Sequence, residues 1–384
     1  MLRSEMTLPN SAAVMMSRLT RLVPPDALWI AGLRGVLRQL KASQTTLLLS
    51  EKTAGAPFLQ QAAARLGVEQ HFVSVPEGVD TASDRSVADQ SLMDAAEVVY
   101  VLHLRSGGNL ERLLKERLQQ RQSRVVLVDL PQLQPDNLRA ELCAQGATSW
   151  TPTTEQLSPL VAAAALRDPD RTSEASTDPP DVYTLSPFPP AEEWDFLTHS
   201  TRACPGPWPG DSFAEYADSL LEARSDADHS ALSALLRIIR QKTLIASGRT
   251  IRGGDRVVSF TAIPLSELPT LRRFRPHRVH WDFEPYGICL RRSWLLSRGA
   301  QAVNYAEEAD WPELTAQQRP FFQRAIGHSG IDWRVEQEWR VVGDLGLRDA
   351  APQDVIVFVP HFEAAKAVAR ITSWPVTLWP DDAS

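Results

Sequence analysis

The run Glu97-Val98-Val99-Tyr100-Val101-Leu102-His103-Leu104, followed at once by Arg105-Ser106-Gly107-Gly108-Asn109, decides the fold of the first half of this chain. A short, almost wholly apolar run bounded by a turn signal reads as a strand buried on both faces. After the glycines, Leu110, Leu113, Leu114 and Leu118 recur at helical spacing on one face. The same order repeats on either side. Residues 45–50 read as a strand leading to a helix over 57–66, residues 71–75 as a further strand, and 124–130 as a strand leading to a helix over 136–143. Strand, helix, strand, helix predicts an α/β domain on a doubly wound parallel sheet.

Ligands of such sheets bind outside the carboxyl ends of the strands, which is where the 105–109 loop sits. Gly107 and Gly108 allow close backbone approach, and free N–H groups before a helix can hold a phosphate. These two glycines are therefore candidate nucleotide-binding positions. The GxGxxG pattern of dehydrogenases is absent. The stretch 95–110 resembles the Rossmann-like superfamily of DNA-processing and nucleotide-sensing domains, over about residues 40–150. That resemblance implies nucleotide binding or phage-defence signalling.

The chain has 384 residues and a net charge of −7, which favours two domains and argues against a nucleic-acid coat over the whole surface. Cys143, Cys204 and Cys289 are far apart and form no CxxC pair, so neither a disulfide framework nor a cysteine zinc site is expected. The histidines lack HExxH spacing, and no metal is expected. No stretch approaches the length of a membrane span, and a reducing cytoplasm is the expected location. Tryptophan use divides the chain: Trp29 and Trp150 precede position 190, and nine others follow. Between lies a Pro/Ser/Asp-rich stretch. The expected organisation is a first domain over 1–166, a linker over 167–193 and a second domain over 194–384.

In the second domain the segment Trp333-Arg334-Val335-Glu336-Gln337-Glu338-Trp339-Arg340 carries the densest chemistry. Read as a strand, it places Glu336, Glu338 and Arg340 on one face and Trp339 on the other. Carboxylates beside indoles suit a cationic, sugar-like transition state or a nucleophile that must lose a proton. Further strands are expected over 195–202, 256–261, 285–290, 301–305 and 354–359. Helices are expected around Leu232–Ile239, after Pro264, and over 293–298 and 313–326. Many short strands with few long helices predict an α+β domain. Residues 271–298 hold seven arginines against Asp282 and Glu284. Arg272, Arg273, Arg275 and Arg278 beside Trp281 are candidate nucleic-acid contacts, since cations next to aromatic faces suit phosphates and stacked bases.

The order Phe-Leu-Thr-His-Ser-Thr (196–201), Val-Val-Ser-Phe-Thr-Ala-Ile-Pro-Leu (257–265), Tyr-Gly-Ile-Cys-Leu-Arg-Arg-Ser-Trp-Leu (286–295), Gln-Ala-Val-Asn-Tyr (301–305) and Glu-Gln-Glu-Trp-Arg (336–340) resembles abortive-phage-resistance proteins of the AbiGi type. More distantly it resembles DNA ADP-ribosyltransferase toxins of the DarT type. The resemblance implies an ADP-ribosyltransferase-like α+β domain that uses NAD. It maps a ribose-contacting histidine to His199, a second-strand position to Ser259, Phe260 or Thr261, and the catalytic glutamate to Glu338, with Glu336 as its helper. Arg202 or Arg252 would hold the pyrophosphate. DNA is then the expected partner, together with proteins of a defence or modification system.

Two alternatives accompany that expectation. On the same fold, a thiol at Cys204 beside His199, or at Cys289, would add to the nitrile of a 7-deazaguanine base in DNA, and water would open the adduct to the amide. That chemistry requires no cofactor. Otherwise the first domain senses a nucleotide and the second is a non-catalytic partner-binding module.

Overall fold

The computed structural model describes residues 7–17, 23–24, 26–53, 55–74, 81–120, 124–160, 185–275, 280–327 and 330–380, without the side chains of 81–85, 275 and 280. Contacts divide the chain into two units. One comprises Met1–Thr172 with Gly206–Asp228, the other Ser173–Pro205 with His229–Ser384. The segment 206–228, which the sequence places beyond the linker, thus groups with the first unit.

The first unit is built on a strand that the sequence conceals, β1 (Leu8–Met16). Ala12, Val14 and Met16 enter one apolar cluster and Ala13 enters another with Met15, so both faces are covered. Around it lie β2 (Thr46–Leu49), β3 (Gln70–Phe72), β4 (Ala96–His103), β5 (Arg124–Val128) and β6 (Thr148–Trp150). The sheet order is β3-β2-β1-β4-β5-β6 with every ladder parallel. This is the doubly wound Rossmann-like order, whose switch point falls between β1 and β4.

Its helices are α1 (Leu28–Ala42), α2 (Ala56–Leu66), α3 (Thr81–Ala95), α4 (Asn109–Gln120), α5 (Asp136–Ala144), α6 (Thr154–Leu157) and α7 (Phe213–Leu221). Ser212 and Glu215 cap α7 reciprocally. The buried Arg34 of α1 fixes the ends of α6 and α7: its Nε and Nη2 donate to the Leu157 carbonyl and its Nη1 to that of Leu221. Burial without a carboxylate lowers its pKa to about 10.

The second unit contains β7 (Phe196–Ser200), α8 (Ala231–Gln241), β8 (Thr243–Leu244), β9 (Val257–Thr261), α9 (Leu268–Leu271), β10 (Phe274–Arg275), β11 (His280–Trp281), β12 (Gly287–Arg291), α10 (Arg292–Leu296), β13 (Gln301–Ala302), β14 (Asn304–Ala306), β15 (Phe322–Arg324), β16 (Glu338–Val342), β17 (Leu345–Gly346), β18 (Val355–Val359), α11 (Phe362–Ala369) and β19 (Val376–Leu378). Its main sheet runs β13-β16-β9-β7-β12-β18-β19 and is antiparallel except for the last pair. Short strands in a mostly antiparallel sheet, with α8 and α11 packed in one apolar cluster with its side chains, make it α+β.

Several local expectations are corrected. The anticipated helix over 313–326 is replaced by 3-10 turns and β15; Pro320, fixed in φ and lacking an N–H, sits inside it. The expected strand over 301–305 breaks at Val303 into β13 and β14, which join different sheets. Pro264 opens a turn, and the helix starts at Leu268. Most of the predicted linker lies outside the described residues. Its end packs, however: Ser186 N–H donates to the Val376 carbonyl, and Phe188 lies against an apolar cluster.

Candidate active site

The segment Trp333–Arg340 is not one strand. Asp332 accepts from the Arg334 N–H at 3.0 Å and starts a 3-10 turn over Trp333–Glu336. Gln337 then takes a left-handed conformation at φ 43, and β16 begins only at Glu338. The alternation of charges has a local cause: Asp332 pairs with Arg334, and Glu338 with Arg340. Glu336 therefore does not share a strand face with Glu338. It contributes its carbonyl, which accepts from Thr261 Oγ1 at 2.6 Å.

Cross-strand partners present side chains on one face. Thr198 of β7 pairs with Thr261 of β9, and Thr261 with Glu338 of β16. Ser259 pairs with Arg340 one step along. Ser200, two residues after Thr198, shares that face by alternation. Three adjacent strands thus carry a patch of six polar side chains in a sheet that is otherwise largely apolar. The Ser200 Oγ is buried without a hydrogen-bond partner.

Arg340 is 1% exposed and uses its whole guanidinium. Its Nε and Nη2 hold the two oxygens of Glu338 at 2.9 and 2.8 Å. Its Nη1 donates to the carbonyls of Pro320 and Phe322, and its Nη2 also to Gln323 Oε1. The bidentate pair fixes the carboxylate in one orientation, leaving it 15% exposed. Glu338 is held by structure and stays partly exposed.

Sequence reasoning missed Tyr305 as a site residue, although it closes the 301–305 motif. Its hydroxyl oxygen accepts the Glu338 N–H at 2.8 Å. Burial, then the nearby charges of Glu338 and Glu336, push its pKa up to about 12. The phenol keeps its proton at neutral pH and is a donor beside the carboxylate.

His199 stands apart from this patch. Alternation gives it the opposite face, with Phe260, whose ring centroid is 5.7 Å away, and Trp339. Its Nδ1–H donates to the Ser259 carbonyl at 2.8 Å, across the strands that pair at Thr198 and Thr261. Burial lowers its pKa, the Ser259 bond opposes that shift, and the Arg202 charge adds to it. The neutral ring then offers Nε2 as an acceptor. A Cβ on Gly287, opposite Ser200, would lie 2.2 Å from the His199 carbonyl oxygen and 2.6 Å from the Phe358 ring, so only glycine fits there.

Of the remaining candidates, Arg202 donates to the Asp282 carbonyl at 2.8 Å, and Arg252 is ion-paired with Glu308. Cys204 lies beyond the end of β7, its N–H on the His229 carbonyl at 2.9 Å. Cys289 is buried against Thr198, and burial pushes its thiol up to about 12, so it is no ready thiolate. In the first unit the Gly107 N–H is occupied: it donates to the Glu111 carboxylate at 2.7 Å. A phosphate at that N–H would have to displace the Glu111 carboxylate.

In the arginine-rich stretch β10 and β11 pair antiparallel, Phe274 opposite Trp281. Arg272 lies 4.3 Å over the Trp281 ring, and Arg273 is exposed. Arg275 falls on β10 without a described side chain, and Arg278 lies outside the described residues. No group of three or more metal-ligating side chains occurs among the described residues. No helix among them is long and apolar enough to cross a membrane.

No protein-family profile and no curated protein matches the chain. Among solved structures it is similar to DNA processing protein A (DprA) from Streptococcus pneumoniae, at 14% identity and a TM-score of 0.29. The match covers 38% of this chain and 60% of that one.

Proposed function

We propose that the second unit is a DNA- or nucleotide-modifying enzyme with an ADP-ribosyltransferase-like site. The observation that carries this reading is the Thr198–Thr261–Glu338 row. It joins, by direct strand pairing, three sequence segments that the resemblance assigns to one site. Glu338 is the carboxylate that faces positive charge developing at the ribose C1′ as the bond to nicotinamide breaks. The acceptor oxygen or nitrogen gives its proton to water as its bond to C1′ forms, and the nicotinamide leaves with the electron pair of the broken bond. Tyr305 donates a hydrogen bond in this neighbourhood, and His199 Nε2 accepts one from a ribose hydroxyl. Because His199 and Glu338 face opposite ways, a ligand touching both lies where β7 and β9, which pair at Thr198 and Thr261 alone, part beyond that pair.

The test is incubation with labelled NAD and DNA. The reading expects transfer of label or NAD hydrolysis, lost by about a hundredfold or more in Glu338→Gln. Unchanged NAD together with altered nucleosides would move the chemistry to base modification. Neither change, in a folded protein, would refute the reading.

A further inference from the structure

We propose that the paired strands β10 and β11 carry a stacking platform, Phe274 with Trp281, for an unpaired polynucleotide strand. Few large apolar side chains are exposed among the described residues, yet two of the aromatic ones touch each other here. Phe274 is 46% and Trp281 36% exposed, with ring centroids 5.5 Å apart at an interplanar angle of 61°. Exposed aromatic area of this kind costs solubility unless something covers it.

Its surroundings specify the occupant. Arg272 lies over one side of Trp281, with its Nε donating to the Phe283 carbonyl at 3.2 Å and Glu284 3.8 Å away. Arg273 is exposed beside Phe274, and its carbonyl takes the Asp282 N–H at 2.9 Å. Asp282 is in turn bound through its carbonyl by Arg202, three residues after His199. The platform is therefore anchored at its base to the end of β7. Cations flanking aromatic faces match a chain that alternates phosphate and base. Stacking needs a bare base face, which a continuous duplex hides and an unpaired strand offers.

This inference adds a substrate form to the proposed function but is measured without NAD, so the two can fail separately. Fluorescence anisotropy of labelled oligothymidylate, oligouridylate and a duplex should be followed on the whole chain. Both single strands should bind about tenfold or more tighter than the duplex, and the tighter of the two identifies the natural backbone. Trp281→Ala and Phe274→Ala should each weaken single-strand binding by about fivefold to 150-fold. Arg273→Gln should lower the salt slope by about one. Both aromatics are exposed, so circular dichroism and the melting temperature should be unchanged. Duplex binding as tight as single-strand binding, or affinity untouched by both aromatic substitutions, would overturn the proposal.

Discussion

The parallel sheet of the first unit carries apolar side chains on both faces of its central strands, whereas the antiparallel sheet of the second carries a polar patch across β7, β9 and β16. In β4, Val98 and Leu102 enter one cluster and Val99 and Val101 the other. The patch instead holds Thr198, Thr261, Glu338 and Arg340, with Arg340 at 1% exposure. Apolar layers need no partners and tolerate repacking. A buried polar layer costs stability wherever a member goes unsatisfied, as the Ser200 Oγ does here. The second sheet thus carries a polar cost that β4 of the first does not.

Substitutions can break this contrast. The largest effect is expected at Gly287→Ala, where the new Cβ would collide with the strand carrying His199. Its cost should exceed about 4 kcal/mol and appear as loss of folded protein on denaturant titration. Glu338→Ala comes next, because it strands a buried guanidinium; a loss of about 3–5 kcal/mol is expected. This makes alanine the wrong probe of catalysis at Glu338 and glutamine the right one. In the first unit Leu37→Ala should cost about 2–5 kcal/mol by cavity formation alone, with no effect on chemistry in the second unit. Tyr305→Phe should cost only about 0.5–1.5 kcal/mol while depressing turnover, which separates its donor role from its packing.

The smallest effect is in pH. Burial lowers the pKa of His199 and of His103 in their folded environments from 6.5. A base with a depressed pKa binds fewer protons folded than unfolded. Its stabilising contribution is full above about 6.5 and is lost as pH falls through the folded value. His199→Gln should flatten part of that acid-side slope in urea titrations. An unchanged slope would show that His199 is not buried neutral.

Much of the first fold was legible because its strands announce themselves. Residues 46–49 and 98–102 are apolar runs flanked by helices with leucines at helical spacing. β1 hid because Pro9, Asn10, Ser11 and two alanines give it little strand character, and tertiary burial overrode that. α1 hid because it contains Gly32 and Gly35 and starts at Ala27 without a side-chain cap. In the second unit the strand positions of His199, Ser259–Thr261 and Glu338 were readable. Their faces were not, since register is set by pairing between distant segments. The Trp333–Arg340 reading failed in its first half because a charge alternation produced by two local ion pairs imitates a strand. Tyr305 and the full use of Arg340 depend on contacts that no local pattern encodes.

The central claim is that Glu338 is a reactive carboxylate as well as the partner of Arg340. Wild type and Glu338→Gln should be compared for label transfer from NAD to DNA and for NAD hydrolysis, with melting temperatures measured on the same samples. The account predicts activity in the wild type and a loss of about a hundredfold or more in a variant that remains folded. Equal activity in the two folded proteins would make Glu338 a structural residue and contradict it.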